Sequence, residues 1–189
     1  MLDNFHFDPR KHYNIHIDQS LSVDSTGLAI SHKDVDKDGE FVQVDLMLKI
    51  DPPGKPDQIS VRKIREFIIY LRDKRKLNIQ LLTYDQFSSA EAIQEANNMK
   101  IKAERLSVDK DSSQYDLLVD LILRGKIWGY HYAPFKEELF YLEKDRIKRK
   151  VDHVFGRAKD VSDAVCGSVW SSWVNGKKPF SWAKFVGNV

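Results

Sequence analysis

The sequence predicts a mixed α/β fold: three antiparallel strands first, then parallel strands, with helices flanking the sheet. Three observations predict it. The first third of the chain alternates apolar and polar residues, the middle switches to helical spacing, and short apolar segments then recur between the helices. Strands joined through helices are most simply parallel, whereas strands joined by short turns form an antiparallel meander. The 189 residues suit one sizeable core, so a single domain is expected, with its core at 12–174 and a basic, aromatic tail at 175–189.

"HYNIHID" (12–18) and "TGLAISHK" (26–33) read as two strands of a hairpin across a polar turn containing Asp24 and Gly27. In "FVQVDLMLKI" (41–50), Val42, Val44, Leu46, Leu48 and Ile50 are expected on one face of a third strand. "DPPGKPD" then breaks the sheet. "SVRKIREFIIYLRDKRK" (60–76) carries Val61, Ile64, Phe67, Ile68 and Leu71 at the spacing of an amphipathic helix. "NIQLLTYD" holds a fourth strand, Ile79 to Tyr84, followed at once by Asp85. Ser88 and Glu91, at capping-box spacing, open a helix to about 98. A strand "IKAERLSV" (101–108) and a helix from Ser113 to Arg124, stopped by Gly125, come next. "IWGYHY" reads as a short strand, "PFKEELFYLEK" as a helix with proline in its first turn, and "DRIKRKVDHVFGRA" as strand or loop. The last helix starts near Asp160.

Composition excludes several classes. Lys plus Arg is 30 against 28 for Asp plus Glu, so binding of a polyanion would have to come from local patches. The single Cys166 excludes an internal disulfide framework and multi-cysteine zinc modules, and fits a reducing, cytosolic setting. No apolar run approaches the roughly 20 residues that span a bilayer, and "MLDNFHFDPRKHY" is too polar and acidic for a signal peptide, so no membrane role is expected. The pairs Gly54-Lys55, Gly125-Lys126 and Gly176-Lys177 lack the glycine of a nucleotide-binding P-loop, so ATP hydrolysis is not expected of this chain.

The candidate chemistry is acidic. Asp18 ends the first strand and Asp85 the fourth, and the C-terminal edge of strands in an α/β sheet is where ligands collect. Asp160 and Asp163 share a face in the first turn of the last helix, in a stripe continued by the small residues Ala164 and Gly167. If the first and fourth strands are neighbours, these carboxylates converge, and converging carboxylates repel unless a cation neutralises them. Oxygen donors without a cysteine cluster favour Mg²⁺ or Mn²⁺, and two such ions about 4 Å apart would clamp the attacking and leaving oxygens of a phosphodiester. The plainer alternatives are that Asp85 begins a turn and that Asp160 and Asp163 complement the helix dipole. His16, on the strand face of Asp18, His153 and Asp24 are accessory candidates against packing and turn roles. The basic run Arg146, Lys148, Arg149 and Lys150, with Arg157 and Lys159, is either a solvated face or a set of phosphate contacts around the acidic centre.

"HIDQSLSVDSTGLAISH", "VDLMLKIDPP", "VRKIREFIIYLRD", "LLTYDQFSSAEAIQ", "ERLSVDKD" and "KVDHVFGRAKDVSDAVCGSV", in this order over residues 12–172, resemble the C-terminal nuclease domain of the large terminase subunit of tailed bacteriophages. The resemblance implies a ribonuclease H-like fold and metal-dependent endonuclease cleavage of concatemeric double-stranded DNA during genome packaging, with little sequence preference. It implies two Mg²⁺ or Mn²⁺ ions held by Asp18, Asp85 and Asp163, with Asp160 as a further ligand or a group just behind them. It also implies an ATPase motor domain that this chain lacks, the portal and the small terminase subunit as partners, and action in the host cytoplasm rather than in the mature virion. Where the family often has Asp-His-Pro, this chain has Asp152-His153-Val154. Other readings are a resolvase- or transposase-like nuclease, or a non-catalytic module docking DNA or portal.

Overall fold

Residues 6–20, 25–54, 58–85, 90–145 and 150–175 are described by a computed structural model. Alternating segments form β1 (Tyr13–Asp18), β2 (Thr26–Asp36) and β3 (Gly39–Ile50), paired antiparallel in sequence order. The chain then crosses through α1 (Val61–Asp73), whose first turn is capped by Ser60 accepting from the Lys63 N–H at 3.3 Å. The crossing delivers β4 (Ile79–Tyr84) parallel to β1. A second crossing through α2 (Ala90–Asn98) delivers β5 (Ala103–Arg105) parallel to β4. After α3 (Ser113–Leu123), the short β6 (Ile127–Trp128) runs parallel to the far edge of β3. The sheet order is therefore β5-β4-β1-β2-β3-β6, with β1 beside β4 as convergence of the acids requires. Helix α4 (Ala133–Phe140), the separate hairpin of β7 (Leu142–Asp145) and β8 (Lys150–His153), and α5 (Asp160–Asn175) complete the described chain.

The sheet carries a core on each face. Tyr13, Ile15, Ile17, Leu28 and Ile30 pack with Ile64, Ile68 and Leu71 of α1 on one side. On the other, Ala29, Val42, Val44 and Met47 meet Leu118 and Leu121 of α3 and Val161, Ala164, Val165 and Val169 of α5. Helix α5 is buried along most of its length and packs across β1, β2 and β3.

Three expectations change. The apolar residues of β3 do not share one face, because the β2–β3 register shifts between Ile30, opposite Leu46, and Ser31, opposite Val44. Asp45 is the extra residue of that bulge, so Val42 and Val44 face α5 while Leu46 and Leu48 face α1. The strand expected at 101–108 is ordered as β only at Ala103–Arg105. The helix expected in "PFKEELFYLEK" ends at Phe140, and Leu142–Asp145 turns into the β7–β8 hairpin. Asp24, Ser88, Arg146, Lys148, Arg149 and the tail from 176 lie outside the described residues. No helix among the described residues is long and apolar enough to cross a membrane.

Candidate metal centre

Parallel pairing of β1 with β4 aligns their C-terminal ends. His16 lies opposite Thr83, with its Nδ1 2.7 Å from Thr83 Oγ1, and the Asp85 N–H donates to the Ile17 carbonyl at 3.3 Å. Side chains alternate along a strand, so Asp18 follows His16 to the face covered by α5, and Asp85 follows Thr83 to the same face.

Helix α5 reaches that face because two glycines let it in. A Cβ on Gly27 would stand 1.8 Å from the Asp160 carbonyl oxygen, and one on Gly167 would stand 2.3 Å from Cγ of His16. The first turn of α5 is capped from another element. Glu138 of α4 accepts the Ser162 N–H at 2.7 Å, placing a buried carboxylate at the positive end of the helix. The helix start is thus fixed in place, and Asp160 and Asp163 with it.

Both oxygens of Asp163 are engaged. Oδ1 accepts from the Tyr115 hydroxyl of α3 at 2.5 Å, and Oδ2 accepts from the ammonium of Lys159. Lys159 also donates to Asp109 Oδ1 at 2.5 Å. Asp109 lies beyond the end of β5, and in the stretch between them Ser107 and the Val108 N–H bond the Asp85 carboxylate. One carboxylate oxygen from each of Asp85, Asp109 and Asp163 lies within 4.8 Å of the others. Asp18 and Asp160 stand close enough for their charges to interact with this group.

The electrostatics match that crowding. Burial, then the charges of Asp163, Asp160 and Asp85, push the Asp18 carboxyl up to about 8. Burial pushes Asp163 up to about 7 against the pull of Lys159 and Tyr115. Asp85 is raised as well, first by burial, with Asp109 adding to it and the Ser107 hydrogen bond opposing. For Lys159 burial pulls the pKa down, but Asp163 and Asp109 outweigh it and hold the ammonium charged. Asp85, Asp109 and Asp163 supply only oxygen donors, which suits a hard divalent cation such as Mg²⁺ or Mn²⁺.

The structure brings together Asp18, Asp85, Asp160 and Asp163 and adds Asp109, which sequence reasoning passed over. A signal existed: Asp109 directly follows the strand expected at 101–108, as Asp85 follows the fourth. Lys159, expected among the DNA contacts, is instead folded into the acids with its side chain 12 % exposed. His16 lies beneath Gly167, fully buried, and burial lowers its pKa to about 3, so it is a neutral packing residue under the cluster. His153 sits in β8 opposite Leu142, its Nδ1 3.0 Å from the Val154 carbonyl, and is not among the clustered groups. Lys150 is exposed, and Arg157 is exposed with its guanidinium 3.3 Å from Glu137 and stacked 4.0 Å over the Tyr141 ring.

No family model matches the sequence, and no curated protein matches it. Solved structures do. The large terminase of a thermophilic bacteriophage superposes with a TM-score of 0.66 at 13% identity, over 87% of this chain and 41% of that one. The large terminase nuclease of the thermophilic phage G20c, solved with bound magnesium, gives 0.60 at 14% identity, over 87% of this chain and 84% of that one. The HK97 bacteriophage large terminase gives 0.65 at 13% identity, over 87% and 40%. The chain thus spans about two fifths of the first of these proteins and of the HK97 protein, and most of the G20c nuclease. It has the ribonuclease H-like fold of large terminase nuclease domains.

Proposed function

We propose that this chain is a metal-dependent endonuclease that cuts concatemeric double-stranded DNA with little sequence preference during phage genome packaging. The observation that carries the reading is the convergence of carboxylates from β1, β4, the turn after β5 and the start of α5 at one sheet edge, in a fold shared with terminase nucleases. Asp18, Asp85 and Asp163 would hold two Mg²⁺ or Mn²⁺ ions, with Asp160 and Asp109 completing the cage. Divalent ions bound there supply Lewis acidity to a phosphodiester and acidify the attacking water.

The chain's own groups do the positioning. Glu138 and Gly27 fix the start of α5, and Tyr115 orients Asp163. The buried, neutral His16 seats α5 on the sheet and takes no proton. No side chain is needed as general base. The exposed Lys150 and Arg157, on the segment leading into α5, would contact phosphates without reading bases. Packaging would place the domain in the host cytoplasm, with an ATPase motor domain, the portal and the small terminase subunit as partners.

The test is cleavage of linear and supercoiled plasmid with Mg²⁺, Mn²⁺ or EDTA, by the wild type and by Asp18→Ala and Asp85→Ala. Cutting that needs the metal and both acids supports the reading; cutting that survives both substitutions sinks it. A docking module is the second reading, because Lys159 already neutralises part of the cluster. Metal-independent DNA binding without cleavage would favour it.

A further inference from the structure

We infer that Lys159 is a built-in counter-cation that occupies the place of a divalent ion in the metal-free protein and must swing off Asp163 before that residue can ligate. The inference rests on the metal-dependent reading above and deepens it.

Asp163 already carries a protein donor on each oxygen. Its side chain is 2 % exposed, Tyr115 holds Oδ1 at 2.5 Å, and Lys159 holds Oδ2. A cation arriving at the oxygens shared with Asp85 and Asp109 therefore meets a carboxylate that already holds a positive charge. Each oxygen keeps a second lone pair, so a neutral donor can stay, but the ammonium has to yield. Tyr115 has no need to move, being uncharged, and cannot move readily: the residue is 3 % exposed and belongs to the core between α3 and α5. Lys159 can, because it lies just before the first residue of α5, its ammonium ends a flexible four-carbon stem, and its other partner, Asp109, is 46 % exposed and opens toward water. Sharing Oδ2 is no alternative, since an ammonium and a divalent ion on one oxygen repel strongly in a half-dry site.

The lysine therefore has two effects of opposite sign. It stabilises the metal-free fold by relieving repulsion among the carboxylates, and it weakens metal binding by competing for Asp163. A purely structural lysine would have only the first effect. A phosphate-binding lysine would have neither, because its charge would face the solvent.

The experiment is a Mn²⁺ titration of the 189-residue chain, followed by the free-ion electron paramagnetic resonance signal, on the wild type, Lys159→Met and Lys159→Gln. Loss of one charge-assisted hydrogen bond from the competing state should tighten the Mn²⁺ dissociation constant about tenfold in both variants. Their metal-free melting temperatures should fall, and the rise on adding Mn²⁺ should exceed that of the wild type. Independently, Lys159 in the wild type should react slowly with an amine-methylating reagent in EDTA and several-fold faster with saturating Mg²⁺, read by peptide mass spectrometry. That measurement needs no variant to fold. Mn²⁺ bound by the wild type, with unchanged or weaker affinity in the variants or Lys159 reactivity that ignores Mg²⁺, overturns the inference and leaves the metal-dependent reading standing. No Mn²⁺ binding by the wild type or by either variant overturns both.

Discussion

Replacing Gly167 with alanine tests how α5 is seated on the sheet. The added methyl would stand 2.3 Å from Cγ, 2.5 Å from Cδ2 and 2.6 Å from Nδ1 of His16, all inside the 3.0 Å that real Cβ contacts respect. The imidazole has no room to step aside, being 0 % exposed and tied to Thr83 Oγ1 at 2.7 Å. Alanine in place of a helical glycine gains about 1 kcal/mol of propensity. Overpacking a core typically costs about 1–3 kcal/mol, and occasionally more. Because the ring meets the methyl over three atoms and cannot rotate away, the upper end applies and the net loss is about 2 kcal/mol. For a chain of this size that lowers Tm by roughly 4–8 °C. Thermal melts of Gly167→Ala, His16→Ala and the double variant measure it. Removing the ring makes room for the methyl, so the double variant should lose less than the sum of the singles. A Gly167→Ala protein with an unchanged or raised Tm would refute the reasoning.

Gly27→Ala meets backbone rather than a ring, the Asp160 carbonyl at 1.8 Å, so it should push back the start of α5 and weaken Mn²⁺ binding even where the protein still folds. Mn²⁺ titration beside a melt checks it, and wild-type affinity would count against the placement of Asp160. Glu138→Ala removes the carboxylate that caps the Ser162 N–H and should cost about 1–2 kcal/mol, read as a urea midpoint; a loss below ~0.5 kcal/mol would show that water replaces the cap. Stability of the metal-free protein should fall as pH rises from about 6.5 to 8. Asp18 is raised to about 8 in the folded state, so over this window the folded chain keeps a proton that the unfolded chain has already lost. His16 works in the opposite direction, but with a folded pKa of about 3 its contribution is complete above its ordinary value and does not mask the fall. Melts in EDTA should show a shallower slope for Asp18→Asn, and a Tm that rises with pH in the wild type would contradict the account.

Much of this was legible because strand period and strand-to-helix alternation are local signals. Asp18 and Asp85 end apolar runs, and parallel pairing of β1 with β4 is enough to bring them together. The small residues of α5 announced a close approach, though not that His16 would fill the space under Gly167. The two faces of β3 were not legible, because one extra residue at Asp45 reverses the alternation and nothing in "VQVDLML" marks it. Asp109 was missed because the short β5 ends at Arg105 and only the turn beyond it carries the acid to Asp85. Lys159 was misplaced for a related reason: a basic residue in a basic segment reads as solvated, and burial between Asp109 and Asp163 is a tertiary fact. Glu138 caps a helix 24 residues away, a partnership no capping motif could encode.

The most direct test of the central claim is anomalous scattering from crystals of this chain soaked in Mn²⁺. Mn²⁺ peaks are expected among Asp18, Asp85 and Asp163, with the Lys159 ammonium moved off Asp163. Mn²⁺ found only at other carboxylates, with the Lys159–Asp163 pair intact, would contradict the claim.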